Sequence, residues 1–294
     1  MMVEEKDWSL EEAVKYNGAD RVVHFSEYLS LKENETAQVK RFRCGFSLFD
    51  AAIGGLATGE VIVITGHRKE GKTTFAESWL KSMSEIDPSA RSMILSYEMP
   101  PIQLLQKYKD DLRRPIYVPL SLESANFEWL KKRCLEAKYK HMANIVMIDH
   151  LDHLVDMSLT QNMAINIGAF MRRLKTDIAM QHNLAVLLVA HQSQPRQDKE
   201  PSVDTLRGSA SIGQESDATI VVMRRENLDY VELKDFLEKY GEEKAMKISP
   251  PLLADPDDAS SAKLAIVKVE CHRRTGAWKW KKLFRKNGEF LEEV

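Results

Sequence analysis

One eight-residue segment constrains the fold of this chain more than any other. Gly66-His67-Arg68-Lys69-Glu70-Gly71-Lys72-Thr73 matches GxxxxGK[ST], and it lies between an apolar, β-branched run and a helical pattern, the context that this motif requires. Backbone N–H groups of such a loop and the positive end of the helix cradle phosphates. Lys72 is predicted to contact the β- and γ-phosphates, and the Thr73 hydroxyl to bind Mg²⁺. With Thr74, which follows in the same turn, the segment predicts a site for ATP and Mg²⁺.

Two carboxylates are candidates for the chemistry at this loop. Asp149 ends the apolar run Ile145–Ile148 and is predicted to hold Mg²⁺ through water. In many phosphate-loop ATPases a glutamate follows this aspartate and activates water, but here the next residue is His150. Glu98 follows the strand-like Met93–Tyr97 at the sheet edge where ligands bind, so it is the candidate general base. From these residues alone, an ordinary surface glutamate remains the alternative.

Histidines near Asp149 resemble a metal cluster at first sight. His150 and His153 lie close in sequence to Asp149 and Asp152. Mg²⁺ already occupies Asp149 in this interpretation, and neither a cysteine nor a third histidine lies at ligand spacing. We therefore interpret both histidines as loop residues that face the central site.

Polar residues also end the apolar run Val186–Ala190. A side chain there, from His191 or Gln192, is placed to sense the γ-phosphate. The loop that follows holds Arg196 and Lys199, which suit contacts with nucleic-acid phosphates, although composition alone favours a solvated loop.

The order of apolar runs predicts an α/β fold over residues 41–294. Short apolar runs alternate with longer helical patterns, which indicates a mainly parallel sheet flanked by helices. Two final strands joined through Thr275-Gly276 predict an antiparallel hairpin at the edge of this sheet. Residues 1–40 predict a helical appendage, in which Ser9 caps a first helix, Gly18 ends it, and 21–31 form a second. Residues 226–262 form an acidic insertion.

Composition excludes several classes of protein. The chain has 294 residues, with 42 Lys and Arg against 44 Asp and Glu, so a globally basic nucleic-acid coat is excluded but a basic patch is not. Apolar runs are shorter than the roughly 18 residues of a membrane span, and the acidic N-terminus lacks a secretory signal pattern. The three cysteines are far apart, which argues against a disulfide framework or a structural zinc site and suits a cytosolic location.

Five stretches together resemble the hexameric replicative DNA helicases with a RecA-like core, a family that includes the bacterial DnaB type, the phage helicase-primase and its mitochondrial relative. The resemblance spans residues 43–291. It is carried by the phosphate loop and by Gly54–Glu60, Ser96–Pro100, Ile148–Leu151 and, most specifically, Leu206–Asp217.

This resemblance implies roles for individual residues. Glu98 falls on the catalytic glutamate, while His191 matches the phosphate sensor of the phage type and Gln192 that of the DnaB type. Arg273 or Arg274 matches the arginine finger that enters a neighbouring subunit's site: spacing to Gly276 favours Arg274 against the DnaB pattern, and the phage pattern favours Arg273. The remaining implied contacts are with the nucleotide base, from Arg225 and Phe284, and with DNA phosphates, from Arg207, Gly208 and Ser209.

The function expected from the resemblance is an ATP-hydrolysing, ring-forming DNA helicase that moves on single-stranded DNA in replication. We expect a helicase core without a primase domain, a homo-oligomeric ring of six subunits, and a primase or other replisome protein as a further partner. The expected location is the cytoplasm of a bacterial or phage-infected cell, or an organellar matrix. A recombination or strand-remodelling ATPase without unwinding activity is the alternative, and a RecA-fold signalling ATPase or kinase is a third class.

Overall fold

The computed structural model describes residues 9–18, 21–33, 39–99, 101–109, 114–155, 163–191, 209–224, 263–276, 279–286 and 289–291. The chain divides into two compact units, Met1–Gln38 and Val39–Val294. The helices are α1 (Leu10–Lys15), α2 (Phe25–Glu33), α3 (Ser47–Ile53), α4 (Lys72–Ile86), α5 (Pro101–Tyr108), α6 (Phe127–His141), α7 (Met163–Arg173) and α8 (Ser209–Glu215). The strands are β1 (Arg41–Phe42), β2 (Leu56–Ala57), β3 (Val61–Gly66), β4 (Ser92–Ser96), β5 (Ile116–Tyr117), β6 (Ile145–Asp149), β7 (Ala185–His191), β8 (Ala218–Arg224), β9 (Lys263–His272), β10 (Lys279–Lys286) and β11 (Glu289–Leu291).

The first unit contains the two predicted helices with shifted ends. Ser9 and Glu12 form the reciprocal capping box that the sequence predicts for α1. This helix ends at Lys15 rather than at Gly18. Helix α2 begins at Phe25 rather than at residue 21, because the His24 imidazole accepts a hydrogen bond from the Ser26 N–H and so caps the start of the helix.

A nine-stranded sheet organises the second unit. Its order is β11-β10-β9-β8-β3-β7-β6-β4-β5. The strands from β8 to β5 pair in parallel, whereas β9, β10 and β11 are antiparallel to their neighbours. The predicted mainly parallel sheet with a C-terminal antiparallel hairpin is therefore confirmed.

Both faces of this sheet are buried, as the sequence predicts. Along β3, Ile62 and Ile64 pack into one hydrophobic core and Val61 and Val63 into the other. Helix α4 covers the first face with fully buried aromatic side chains that include Trp79, while α6 and α7 cover the second. Alternation of side chains along a strand explains why a continuous apolar run fills two cores.

The predicted long helix at 164–182 differs from the structure in its last part. Helix α7 continues into a π-helical segment at Leu174–Met180. Apolar residues keep helical spacing through this segment, with Leu174 and Ile178 fully buried, so the sequence pattern does not reveal the wider turn.

Within the described residues, no helix combines the length and the apolar character needed to cross a membrane.

Candidate nucleotide site

The carboxyl ends of four parallel strands bring the predicted site residues to one edge of the sheet. In the register of the sheet, Gly66 at the end of β3 pairs with His191 at the end of β7. Asp149 at the end of β6 pairs with Ser96 at the end of β4, two residues before Glu98. The four segments that sequence analysis treated separately therefore meet in space, at the edge where α/β proteins bind ligands.

Gly66 is required by a close approach of two strands. Its φ is +153°, and a Cβ atom there would lie 2.1 Å from the Val222 carbonyl oxygen of β8. Gly71 has a φ of +90° and precedes α4 without a side-chain cap. The first N–H groups of this 15-residue helix therefore have no capping side chain at Gly71, as an anion-binding helix start requires.

Lys72 is buried within the loop. Its Nζ donates a hydrogen bond to the His67 carbonyl oxygen at 2.7 Å. Burial lowers the pKa of this ammonium, while the charges of Glu98 and Asp149 act in the opposite direction. The lysine thus lies between the phosphate loop and both candidate carboxylates.

Thr73 and Asp149 form a pair of oxygen donors. The Thr73 hydroxyl donates to Asp149 Oδ2 at 3.0 Å. The other carboxylate oxygen, Oδ1, is buried and has no hydrogen-bond partner among the described residues. Burial, with a smaller contribution from Glu98, raises the pKa of Asp149 to about 7. An unsatisfied carboxylate oxygen beside a hydroxyl fits a hard cation such as Mg²⁺, whose charge would offset the cost of this burial.

Glu98 lies between two imidazoles. Its Oε1 is 3.2 Å from Nε2 of His191 and 3.4 Å from Nδ1 of His150. Burial and the neighbouring His191 lower the pKa of His150 to about 4, and burial and Lys72 lower the pKa of His191. Both rings are therefore neutral near pH 7, and His191 contacts Glu98 as a hydrogen-bond donor rather than as a cation.

The contact of His150 with His191 is the part of the site that sequence analysis missed. Their ring centroids are 4.1 Å apart, although 41 positions separate them in the chain. A search for ligand spacing along the chain cannot find this pair. The signal that could have found it is the placement of each histidine at the end of an apolar run, since neighbouring parallel strands end at one edge.

The two candidate finger residues lie at the other edge of the sheet. The Arg273 N–H donates to the Asp217 carbonyl, and the Asp217 N–H donates to the carbonyl of Val61, the first residue of β3. Gly66 is five residues further along β3, or roughly 17 Å at the usual rise of a strand. Neither arginine is therefore placed to act on the phosphate loop of its own chain.

The two arginines differ in what they contact. Arg274 donates from Nε to Glu60 Oε1 at 3.0 Å and from a terminal nitrogen to the Ile53 carbonyl at 2.5 Å. Arg273 is exposed, and its guanidinium contacts the Gln214 carbonyl. Arg274 is thus fixed inside its own domain, while Arg273 points along the surface.

Several predicted site residues have little or no description in the structure. Ser209 begins α8, and Phe284 lies in β10, where its backbone pairs with Leu264 and Leu291. Those that lie outside the described residues are Gln192, Arg196, Lys199, Arg207, Gly208, Arg225 and the insertion 226–262.

Comparison with known proteins identifies the family. The profile of the DnaB-like helicase C-terminal domain matches residues 42–114 and 109–249. The replicative DNA helicase DnaB of Buchnera aphidicola is 25% identical over 250 residues, 74% of this chain and 52% of that protein. The DnaB of Haemophilus influenzae is 23% identical over 246 residues, 71% of this chain and 52% of that protein. The chain therefore spans about half the length of these relatives.

Solved structures agree in fold. One of them, an ATPase domain solved by itself, matches 98% of this chain over its own full length, with a TM-score of 0.62 and 21% identity. A DnaB-like replicative helicase, solved with its interactions with primase as the subject, covers 92% of this chain with a TM-score of 0.62 and 20% identity, and 68% of it is covered. These similarities confirm the predicted RecA-like fold. Together with the profile match, they show that the chain belongs to the DnaB-like helicase C-terminal domain family.

Proposed function

We propose that this chain is the ATP-hydrolysing motor of a replicative DNA helicase, which forms a ring and moves along single-stranded DNA. The observation that supports hydrolysis best is the position of Glu98. Its carboxylate contacts two neutral imidazoles at the same sheet edge as Lys72, Thr73 and Asp149. Family membership supports the replicative role.

Residues of this chain divide the work of hydrolysis between them. Thr73 and Asp149 would hold Mg²⁺, which when bound neutralises negative charge on the phosphates. Lys72 and the N–H groups at the start of α4 bind the β- and γ-phosphates. Glu98 accepts a proton from the attacking water, and His191 orients its carboxylate through the 3.2 Å contact with Oε1.

Replacement of Glu98 by glutamine tests this assignment. Glu98→Gln removes the proton acceptor but keeps the size of the side chain, so turnover should fall by roughly 10²-fold or more while ATP binding is retained. Turnover is measured by phosphate release, and binding by titration with a fluorescent ATP analogue. The matched control is Glu85→Gln, because Glu85 is an exposed residue of α4 away from the site. Near-normal turnover in Glu98→Gln would remove this residue from the mechanism.

DNA binding is proposed to use phosphate contacts without reading bases. The residues assigned to these contacts are Arg196, Lys199, Arg207, Gly208 and Ser209. Binding should then tolerate changes of sequence, and each lost cationic contact should reduce the slope of log affinity against log salt by roughly 0.7. An unchanged slope in Arg207→Ala would contradict its contact.

Assembly and partners complete the proposal. A ring of six subunits would place an arginine of one subunit at the nucleotide of the next, and residues 1–40 would pack on the adjacent subunit. The structural relative whose interactions with primase were studied supports primase as a candidate partner. A replicative role suits a cytoplasmic location. Displacement of a strand from a forked duplex tests the helicase proposal, and DNA-stimulated hydrolysis without displacement would instead indicate a strand-remodelling ATPase.

A further inference from the structure

We propose that Glu98, His150 and His191 form a second cation site, separate from the Thr73–Asp149 pair, which takes Zn²⁺ or a similar nitrogen-preferring divalent metal. A metal bound there would withdraw Glu98 from its role in hydrolysis. The binding site stands on geometry alone, and only the inhibition rests on the proposed function.

The distances among the three residues suit a tetrahedral metal. One potential ligand atom from each residue lies within 4.8 Å of the other two. Glu98 Oε1 is 3.2 Å from His191 Nε2 and 3.4 Å from His150 Nδ1. Zinc bonds of about 2.0–2.1 Å in tetrahedral geometry place neighbouring ligands about 3.3–3.4 Å apart. These two separations therefore already match the edges of a zinc coordination tetrahedron.

His150 supplies an independent indication that a ligand belongs here. Its side chain is 8% exposed, and Nδ1 has no hydrogen-bond partner among the described residues although it lies beside Glu98. The opposite ring nitrogen, Nε2, is 3.7 Å from Oδ2 of Asp152. A carboxylate behind a ligating histidine is the usual outer-shell arrangement at zinc sites, where it fixes the orientation of the ring.

The donor set separates this site from the one for Mg²⁺. Two imidazoles and one carboxylate suit zinc, copper, iron or nickel, whereas Mg²⁺ requires an octahedron of oxygen atoms. The oxygen donors Thr73 and Asp149 lie at the neighbouring position. The two sites therefore select different metals, and an excess of Mg²⁺ should not displace zinc from the histidines.

Cobalt provides a direct readout of binding that does not depend on activity. Co²⁺ absorbs strongly in a tetrahedral nitrogen and oxygen site but weakly in an octahedral oxygen site. The full chain, without nucleotide and with Mg²⁺ in excess, is titrated with CoCl₂ and then with buffered ZnCl₂. We expect an intense visible band that zinc removes.

Matched variants test the assignment of ligands. Asp152→Asn should weaken cobalt binding by roughly 10–100-fold, the usual cost of losing an outer-shell partner, and His150→Asn should weaken it further. His24→Asn removes an exposed histidine of the first unit and should bind like the wild type. A wild type without the intense band, or a His150→Asn variant with the same band and affinity, would overturn the site.

Inhibition is tested separately, with each protein compared with its own rate in Mg²⁺ alone. Zinc should inhibit the wild type and His24→Asn but require at least 10–100-fold more metal in His150→Asn. Equal inhibition of all three would show that zinc acts elsewhere and would overturn the inhibitory role. If cobalt binds as expected but zinc leaves the ATPase rate unchanged, the metal site stands and the assignment of Glu98 as the general base fails.

Discussion

Replacement of Arg274 should reveal a residue that stabilises its own domain rather than one that completes a neighbour's active site. The guanidinium donates to Glu60 and to the Ile53 carbonyl, and the side chain of Glu60 is only 12% exposed. A hydrogen bond to a charged group contributes about 1.5–3 kcal/mol, but the 36% exposure of Arg274 allows solvent to screen part of this. Arg274→Ala should therefore lower the free energy of unfolding by about 1–3 kcal/mol at pH 7.

The pH dependence of this loss follows from Glu60. Burial raises the pKa of this carboxyl, but His272 and Arg274 outweigh burial and hold the pKa below the ordinary value of 4.5. A lowered pKa contributes stability above the ordinary value, and this contribution disappears as the pH falls through the pKa of the folded state. The difference between the wild type and Arg274→Ala should thus be full at pH 7 and shrink below pH 4.5.

Urea unfolding at pH 7 and in the acidic range measures the stability, and subunit mixing measures the catalytic role. Arg273→Ala should unfold like the wild type but lose most of its ATPase activity, since an arginine finger is worth about 10³–10⁵ in rate. Mixing Arg273→Ala with Lys72→Ala should restore part of that activity, because mixed rings pair an intact loop with an intact finger. If Arg274→Ala instead unfolds like the wild type and its lost ATPase is restored by mixing, Arg274 is the finger and its contact with Glu60 contributes no stability.

Three further predictions concern the scaffold. Lys175→Met leaves Asp217 unpaired at a site where the two side chains are 14% and 12% exposed, so urea unfolding should show a loss of about 3–5 kcal/mol, and a loss below about 1 kcal/mol would mean that water compensates the pair. Gly66→Ala places a methyl group against the Val222 carbonyl, and thermal unfolding should show a lower melting temperature that MgATP no longer raises; stabilisation by MgATP equal to that of the wild type would contradict the close approach. Burial raises the pKa of Cys134 to about 12, so site-resolved mass spectrometry should find it unmodified by iodoacetamide at pH 8 unless the protein is unfolded, and rapid modification of the folded protein would show that the thiol is accessible.

The parts of the site that sequence reasoning recovered are local. The phosphate loop and Asp149 each depend on one apolar run and the residue that ends it, and both are visible without knowledge of neighbours. The contact of His150 with His191 depends on the register of β6 and β7, which no spacing along the chain encodes. The contact of Arg274 with Glu60 joins positions 214 residues apart, so spacing alone left the choice between the two arginines open.

Helix α7 shows a different limit of sequence reasoning. Its π-helical continuation contains Lys175, whose ammonium contacts the Gly59 carbonyl at 2.8 Å and Asp217 at 2.5 Å. The apolar pattern of the segment is that of an ordinary helix. A contact made by one charged side chain is tertiary, and periodicity of apolar residues carries no information about it.

The separation of Gly66 from Arg273 across one sheet restricts the symmetry by which copies of this chain can complete each other's sites. A two-fold dimer joins the same patch of both copies, and one patch does not include both edges of the sheet. Completion therefore requires a heterologous, head-to-tail contact. In an open row of such contacts, one terminal copy always lacks an incoming arginine, whereas closure of the row supplies the missing one. Under the proposed mechanism, the specific activity of each subunit then reports whether the assembly is closed.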